Sequence, residues 1–356
     1  MGKEYTMREL LEFVLSKKAS DLHIGDGVCP SMRVDKELVY ISQTPFTHDQ
    51  TIRLIRENLS EERFRIFERE KELDYSFGIS GLGRFRVNLF YQRSSVGCAI
   101  RALPFDPMSF EQIGFPPEVA ENLIAKPSGL ILVTGATGSG KTTTLAAMID
   151  NINQTKPCHI VTIEDPIEFV FKNKKAMINQ REVGSDTHSF NQALKHVLRQ
   201  DPNVILIGEM RDLETIEIAL TVAETGHLVF ATLHTPDAVQ SINRIIDVFP
   251  AHQQQQVRVQ FSFVFQGVIC QQLMPRAGGG LVLGAEILVA TPAIRNLIRE
   301  SKAHQIYSAI QMGQREGMRT LNMSLAELVR LKKVSKEVAV SRSSDVQELE
   351  RLLASK

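Results

Sequence analysis

Gly135-Ala136-Thr137-Gly138-Ser139-Gly140-Lys141-Thr142 is the stretch that decides how this chain is read. Its spacing is G-x-x-x-x-G-K-[ST], the pattern of a phosphate-binding loop. It follows Leu130-Ile131-Leu132-Val133-Thr134, an apolar run that reads as a buried strand. It opens onto Thr143-Thr144-Leu145-Ala146-Ala147-Met148-Ile149, which reads as the start of a helix. That strand–loop–helix context gives the pattern its meaning. Glycines let the backbone turn its N–H groups inward around a triphosphate. The helix that follows adds unpaired N–H groups and the positive end of its dipole. The expected nucleotide cradle therefore runs from Gly135 to Thr143. Lys141 is expected on the β- and γ-phosphates, and the Thr142 hydroxyl on Mg²⁺.

ATP hydrolysis also needs a group that orients or deprotonates water. Such groups belong at the carboxyl ends of strands beside the loop, where ligands sit in parallel sheets. Two stretches qualify. In Ile160-Val161-Thr162-Ile163-Glu164-Asp165-Pro166, an apolar run ends in two acids and a strand-stopping proline. In Val204-Ile205-Leu206-Ile207-Gly208-Glu209-Met210-Arg211-Asp212, the strand ends in glycine where the usual aspartate would stand, and the acid comes next. Glu209, Glu164 and Asp165 are the candidate acids, and which of them organises Mg²⁺ stays open. Two histidines, His227 and His234, bracket a third apolar strand, which should carry one at each end with His234 toward the nucleotide. Arg84, Arg86, Arg93 and Arg101 lie on strand-like segments nearer the N-terminus. Arginines of this kind can stabilise transition-state charge at a phosphoryl site.

The chain has 356 residues, enough for about two domains. Residues 1–103 read as a small α+β domain. Helical spacing marks 7–18, 47–59 and 61–70, and strand-like segments mark 73–79, 83–92 and 96–103. A proline-rich connector spans 104–117. From 118 to 291 strands alternate with helices, the pattern of a parallel α/β sheet, with strands near 130–134, 159–163, 204–207, 229–233 and 283–289. Residues 292–356 read as mostly helical.

Composition bounds the partners. Lys plus Arg is 41 and Asp plus Glu is 41, so the formal net charge is zero. Bulk coating of nucleic acid is disfavoured by that balance. The four cysteines at 29, 98, 158 and 270 form no CxxC pair, which argues against a zinc knuckle or a disulfide framework and fits a reducing compartment. No signal-like segment opens the chain, and no uncharged apolar run reaches the ~20 residues of a membrane span. A cytoplasmic protein, brought to a membrane by a partner, is expected.

The ordered motifs resemble the secretion ATPase superfamily, and most closely the PilT family of type IV pilus retraction ATPases. Ala19-Ser20-Asp21-Leu22-His23-Ile24 resembles that family's N-terminal signature, and Glu164 to Phe169 its Asp box. Gly208 to Asp212 is similar to its Walker B segment, and Gly226 to Thr235 to its His box. Ala293-Ile294-Arg295-Asn296-Leu297-Ile298-Arg299-Glu300 resembles a motif associated with retraction. The resemblance implies a PAS-like N-terminal domain, a RecA-like P-loop ATPase domain and a helical C-terminal region. It implies a homohexamer with ATP between subunits, Arg86 and Arg101 acting on a neighbour's site, and catalytic roles for Glu209, Glu164, His234 and His227. It further implies an inner-membrane pilus platform protein as partner and a place at the cytoplasmic face of that membrane. Related extension and type II secretion ATPases usually carry a tetracysteine zinc site, which this chain lacks. Those motors remain the alternative, ahead of a nucleic-acid translocase, for which no Trp and only 5 Tyr supply few stacking surfaces. An ATP-regulated scaffold without turnover is a further rival, disfavoured by the candidate acids.

Overall fold

The computed structural model describes residues 5–34, 37–103 and 107–354. Pro104, Phe105 and Asp106, the start of the expected connector, lie outside the described residues. The chain divides into two compact units. The first comprises Met1–Asp106 with Pro166–Val170, and the second Pro107–Asp165 with Phe171–Lys356.

In the first unit the elements run α1 (Met7–Ser16), β1 (Asp21–Gly25), β2 (Ser31–Val34), β3 (Glu37–Tyr40), α2 (His48–Arg56), α3 (Glu61–Glu70), β4 (Glu72–Ile79), β5 (Gly83–Gln92) and β6 (Ser95–Ala102). The sheet is antiparallel, in the order β3-β2-β1-β6-β5-β4. Strict alternation in β5 buries Phe85, Val87 and Leu89 and turns Arg84, Arg86 and Asn88 to the other face. Thr6 and Thr47 each close a capping box that fixes the start of α1 and α2. The helices bury Leu10, Leu11, Leu54, Ile55 and Phe67 in the same cluster as the inward residues of β5 and β6.

The second unit begins with α4 (Phe110–Ile113), α5 (Pro117–Ile124), β7 (Gly129–Thr134), α6 (Lys141–Thr155), β8 (His159–Glu164), β9 (Met177–Glu182), α7 (Phe190–Val197), β10 (Val204–Ile207), α8 (Leu213–Glu224) and β11 (Leu228–Leu233). It continues with α9 (Ala238–Asp247), α10 (Ala251–Val264), β12 (Phe265–Pro275), β13 (Leu281–Val289), α11 (Pro292–Arg299), α12 (Ile306–Met312), α13 (Leu321–Arg330), α14 (Lys336–Arg342) and α15 (Val346–Ala354). Its sheet is mixed, in the order β13-β12-β7-β11-β10-β8-β9, with β13 antiparallel to β12 and the other pairs parallel. All residues of β7, β10 and β11 are buried. Strands covered on both faces read as unbroken apolar runs, which is why they were visible in the sequence. β7 lies between β11 and β12, so the loop that leaves it at Gly135 stands at the carboxyl edge of the sheet.

Candidate nucleotide site

The loop conformation follows from its glycines. Gly135, Gly138 and Gly140 have φ of 139°, 78° and 90°, values that side chains resist. Space is as restrictive as the backbone: a Cβ on Gly135 would lie 2.4 Å from the Gln271 carbonyl and 2.6 Å from Ser139 Oγ. Strain of this kind costs about 1–3 kcal/mol before the clash is added. Gly135→Ala is therefore expected to lower the melting temperature measurably in thermal unfolding and to weaken nucleotide binding. An unchanged melting curve would contradict this packing.

Gly140 caps α6, so Lys141 and Thr142 fall in its first turn. Lys141 Nζ donates to the Gly135 carbonyl at 2.8 Å and the Ala136 carbonyl at 3.1 Å, which holds the ammonium over the loop. From β12, Gln271 reaches beneath the loop and donates to Thr144 Oγ1 at 2.7 Å. Among the described residues, Ser139 Oγ and Gln271 Oε1 are buried without a hydrogen-bond partner. The positive-φ glycines, the first turn of α6 and the ammonium fit a polyphosphate, and the Thr142 hydroxyl fits a hard cation such as Mg²⁺.

β10 and β11 bring the next groups to the same edge. Glu209 follows β10, where its Oε2 accepts from Arg211 Nη2 at 2.8 Å and its Oε1 lies 3.0 Å from His234 Nε2. The Arg211 hydrogen bond chiefly, with the charges of His234, Arg211 and Lys141, holds this carboxyl below the usual carboxylate range against a contrary push from partial burial. Lys141, Glu209, Arg211 and His234 thus form one electrostatic group. The turn that carries Glu209 is tied to β11: Met210 N–H donates to the Thr232 carbonyl at 3.1 Å, and Thr232 Oγ1 to the Gly208 carbonyl at 2.5 Å. Gly208, where the Walker B aspartate would stand, is closely packed. A Cβ on Gly208 would lie 3.2 Å from the Ile163 carbonyl and 3.3 Å from Glu164 Cα, so this position is crowded by backbone.

The other candidates are placed differently. Glu164 is 6% exposed, and its Oε1 accepts from Thr162 Oγ1 at 2.6 Å and Gln180 Nε2 at 3.2 Å. Asp165 is exposed and its charge acts on Arg211. The two histidines stand at opposite ends of β11, as expected. His227 precedes β11 and bonds Val222 O and Thr225 Oγ1, each at 3.1 Å, while His234 follows β11. Six strand residues separate the two histidines by roughly 20 Å, so His227 does not join the Glu209 group of its own subunit.

In the first unit Arg86 and Arg101 face each other across β5 and β6, in a row Arg33–Asp21–Arg101–Arg86–Ser76. Arg101 Nε is held by Asp21 Oδ1 at 2.8 Å, and Arg84 Nη2 donates to Ser76 Oγ at 2.7 Å. Like charges directly opposite on a sheet repel, and Asp21 supplies the counter-charge to Arg101. Arg93 sits in the β5–β6 turn at φ 48°.

Sequence reasoning gave no role to Arg211, Gln271 or Gln180. Arg211 stands two residues beyond Glu209, close enough in sequence for its guanidinium to reach the carboxylate. Gln271 is a polar residue within an apolar run, the mark of a buried polar contact.

The sequence pattern described as "Type II/IV secretion system protein" matches residues 3–353. The chain belongs to the type II/IV secretion system protein family. Within this secretion family it is 50% identical over 331 residues to "Type IV pilus retractation ATPase PilT" of Pseudomonas aeruginosa, covering 93% of this chain and 96% of the relative. It is 45% identical over 317 residues to "Twitching motility protein" of Neisseria gonorrhoeae, covering 89% and 84% of the two chains. Among solved secretion ATPases, "Crystal Structure of the Pilus Retraction Motor PilT and Bound ADP" superposes with a TM-score of 0.91 at 49% identity, covering 98% of this chain and 100% of that one. The α/β architecture and the assignment as a PilT-family secretion ATPase rest on these matches together.

Proposed function

We propose that this chain is the motor subunit that turns ATP hydrolysis into pilus retraction. What supports the reading is the meeting of Lys141, Glu209 and His234 at the ends of β7, β10 and β11, in a chain half-identical to a named retraction ATPase. Lys141, the loop N–H groups and Thr143 bind the triphosphate. Thr142, with Glu209 or Asp165, would hold Mg²⁺, which when bound neutralises phosphate charge. Glu209, oriented by His234 and Arg211, positions the attacking water and accepts its proton. Glu164 supports that strand edge from β8. Arg86 and Arg101, presented by the first unit, stabilise the developing charge at a neighbouring subunit's site.

In this reading the first unit is PAS-like and the second RecA-like with a helical region from 292 onward, while Phe110 and Phe115 of the expected connector lie in the second unit's core. The subunits form a homohexamer at the cytoplasmic face of the inner membrane and act on the pilus platform protein. Among the described residues no helix is long and apolar enough to cross a membrane. Deleting the gene and counting surface pili tests the direction of work. Surplus pili that do not retract are the expected result, and bald cells would instead identify an extension motor.

A further inference from the structure

Glu286 lies in β13, is 4% exposed, and takes no part in the chemistry above. Its Oε1 accepts the N–H of Ala238, the first residue of α9, at 2.8 Å. The backbone N–H of Leu321, the first residue of α13, also favours its charged form. The buried carboxyl thus meets the start of α9, where orphan N–H groups and the positive dipole end favour an anion.

The start of α9 is the fixed end of the segment that carries His234. Only Thr235, Pro236 and the N-cap Asp237 separate His234 from Ala238. The segment is folded onto the first turn of the helix. Thr235 Oγ1 and Ser241 Oγ are 2.7 Å apart, Ser241 Oγ donates to the Asp237 carbonyl at 2.7 Å, and Asp237 Oδ1 accepts the Gln240 N–H at 2.7 Å. Ser241 Oγ also reaches Thr134 Oγ1, at the end of the strand that feeds the loop, at 3.4 Å. Where the start of α9 sits therefore sets where His234 meets Glu209.

We propose that Glu286 is a positioning residue for ATP hydrolysis: by anchoring the first N–H of α9 it holds His234 against Glu209. The inference rests on the proposed role of Glu209 and His234. The ionisable groups that face Glu286 are Asp237 at the start of α9, Cys270 opposite it on β12, Tyr307 on α12 and Glu348 on α15. Burial first, then the charges of Asp237 and Glu348, push its carboxyl up to about 7, while the two N–H groups pull the other way.

The test is a set of double-mutant cycles on the full-length ATPase, read as kcat and KM for Mg-ATP. Glu286→Met removes the acceptor and keeps the length. Ala238→Pro removes the donor where proline is tolerated, because the position opens a helix and Asp237 before it is already extended at φ −143°, ψ 169°. Each single variant is expected to lower kcat about tenfold or more, as small misplacements of a catalytic group do, with KM nearly unchanged. In a His234→Ala background neither is expected to cost anything further. Wild-type kcat in either folded variant, or a loss that persists undiminished without His234, would overturn the positioning role. Wild-type turnover in His234→Ala itself would remove the underlying site reading, and this proposal with it.

Discussion

Lys141→Ala is expected to slow ATP turnover about 10²–10³-fold while leaving the fold intact. The ammonium is held by two loop carbonyls at 2.8 and 3.1 Å, over the loop that wraps the phosphates. No other described side chain brings a positive charge from within the loop. Removing a preorganised charge from a phosphoryl-transfer site costs about 10²–10³ in rate. Charge-assisted hydrogen bonds lost in the ground state add a binding defect. The side chain is only half-buried, so the melting temperature should move little. Turnover under saturating Mg-ATP, measured beside thermal unfolding, checks both halves. Normal turnover in a folded Lys141→Ala protein would refute the site.

Glu209→Gln should be about as severe, with a different signature. The amide retains the shape and an acceptor for Arg211 but cannot take a proton from water. Loss of a positioned base costs about 10²–10⁴ in kcat. KM should change little, because Lys141 and the loop are untouched. The pH profile sharpens the test. Arg211's hydrogen bond, with the charges of His234 and Lys141, holds the Glu209 carboxyl below its ordinary value. A depressed carboxyl keeps its ionised form above the ordinary value of about 4.3 and loses it only as pH falls through the depressed one. Any acid limb of kcat due to Glu209 should therefore lie below that value, and a Glu209-dependent limb near neutrality would contradict the geometry.

The catalytic elements were legible in the sequence for a physical reason. β7, β8, β10 and β11 are buried runs that end abruptly in Gly135, Asp165, Gly208 and His234, and the chemistry sits at those ends. Other elements carried no such signal. β1, β2 and β3 are short, and β3 is exposed throughout, so no alternation marks it. β9 is a polar edge strand. β12 follows α10 directly at Phe265, with no glycine or proline between them to mark the change. Within the site, Lys141 and Glu209 could be named from spacing. The His234 contact, the crowding at Gly208 and the Glu286 anchor each depend on strand register or on contacts far apart in sequence.

The most direct test of the motor reading is live imaging of labelled pili in cells whose only copy of this chain is Glu209→Gln. Pili that extend, accumulate and never retract, with retraction restored by the wild-type chain, are the predicted result. Retraction at the wild-type rate would contradict the account.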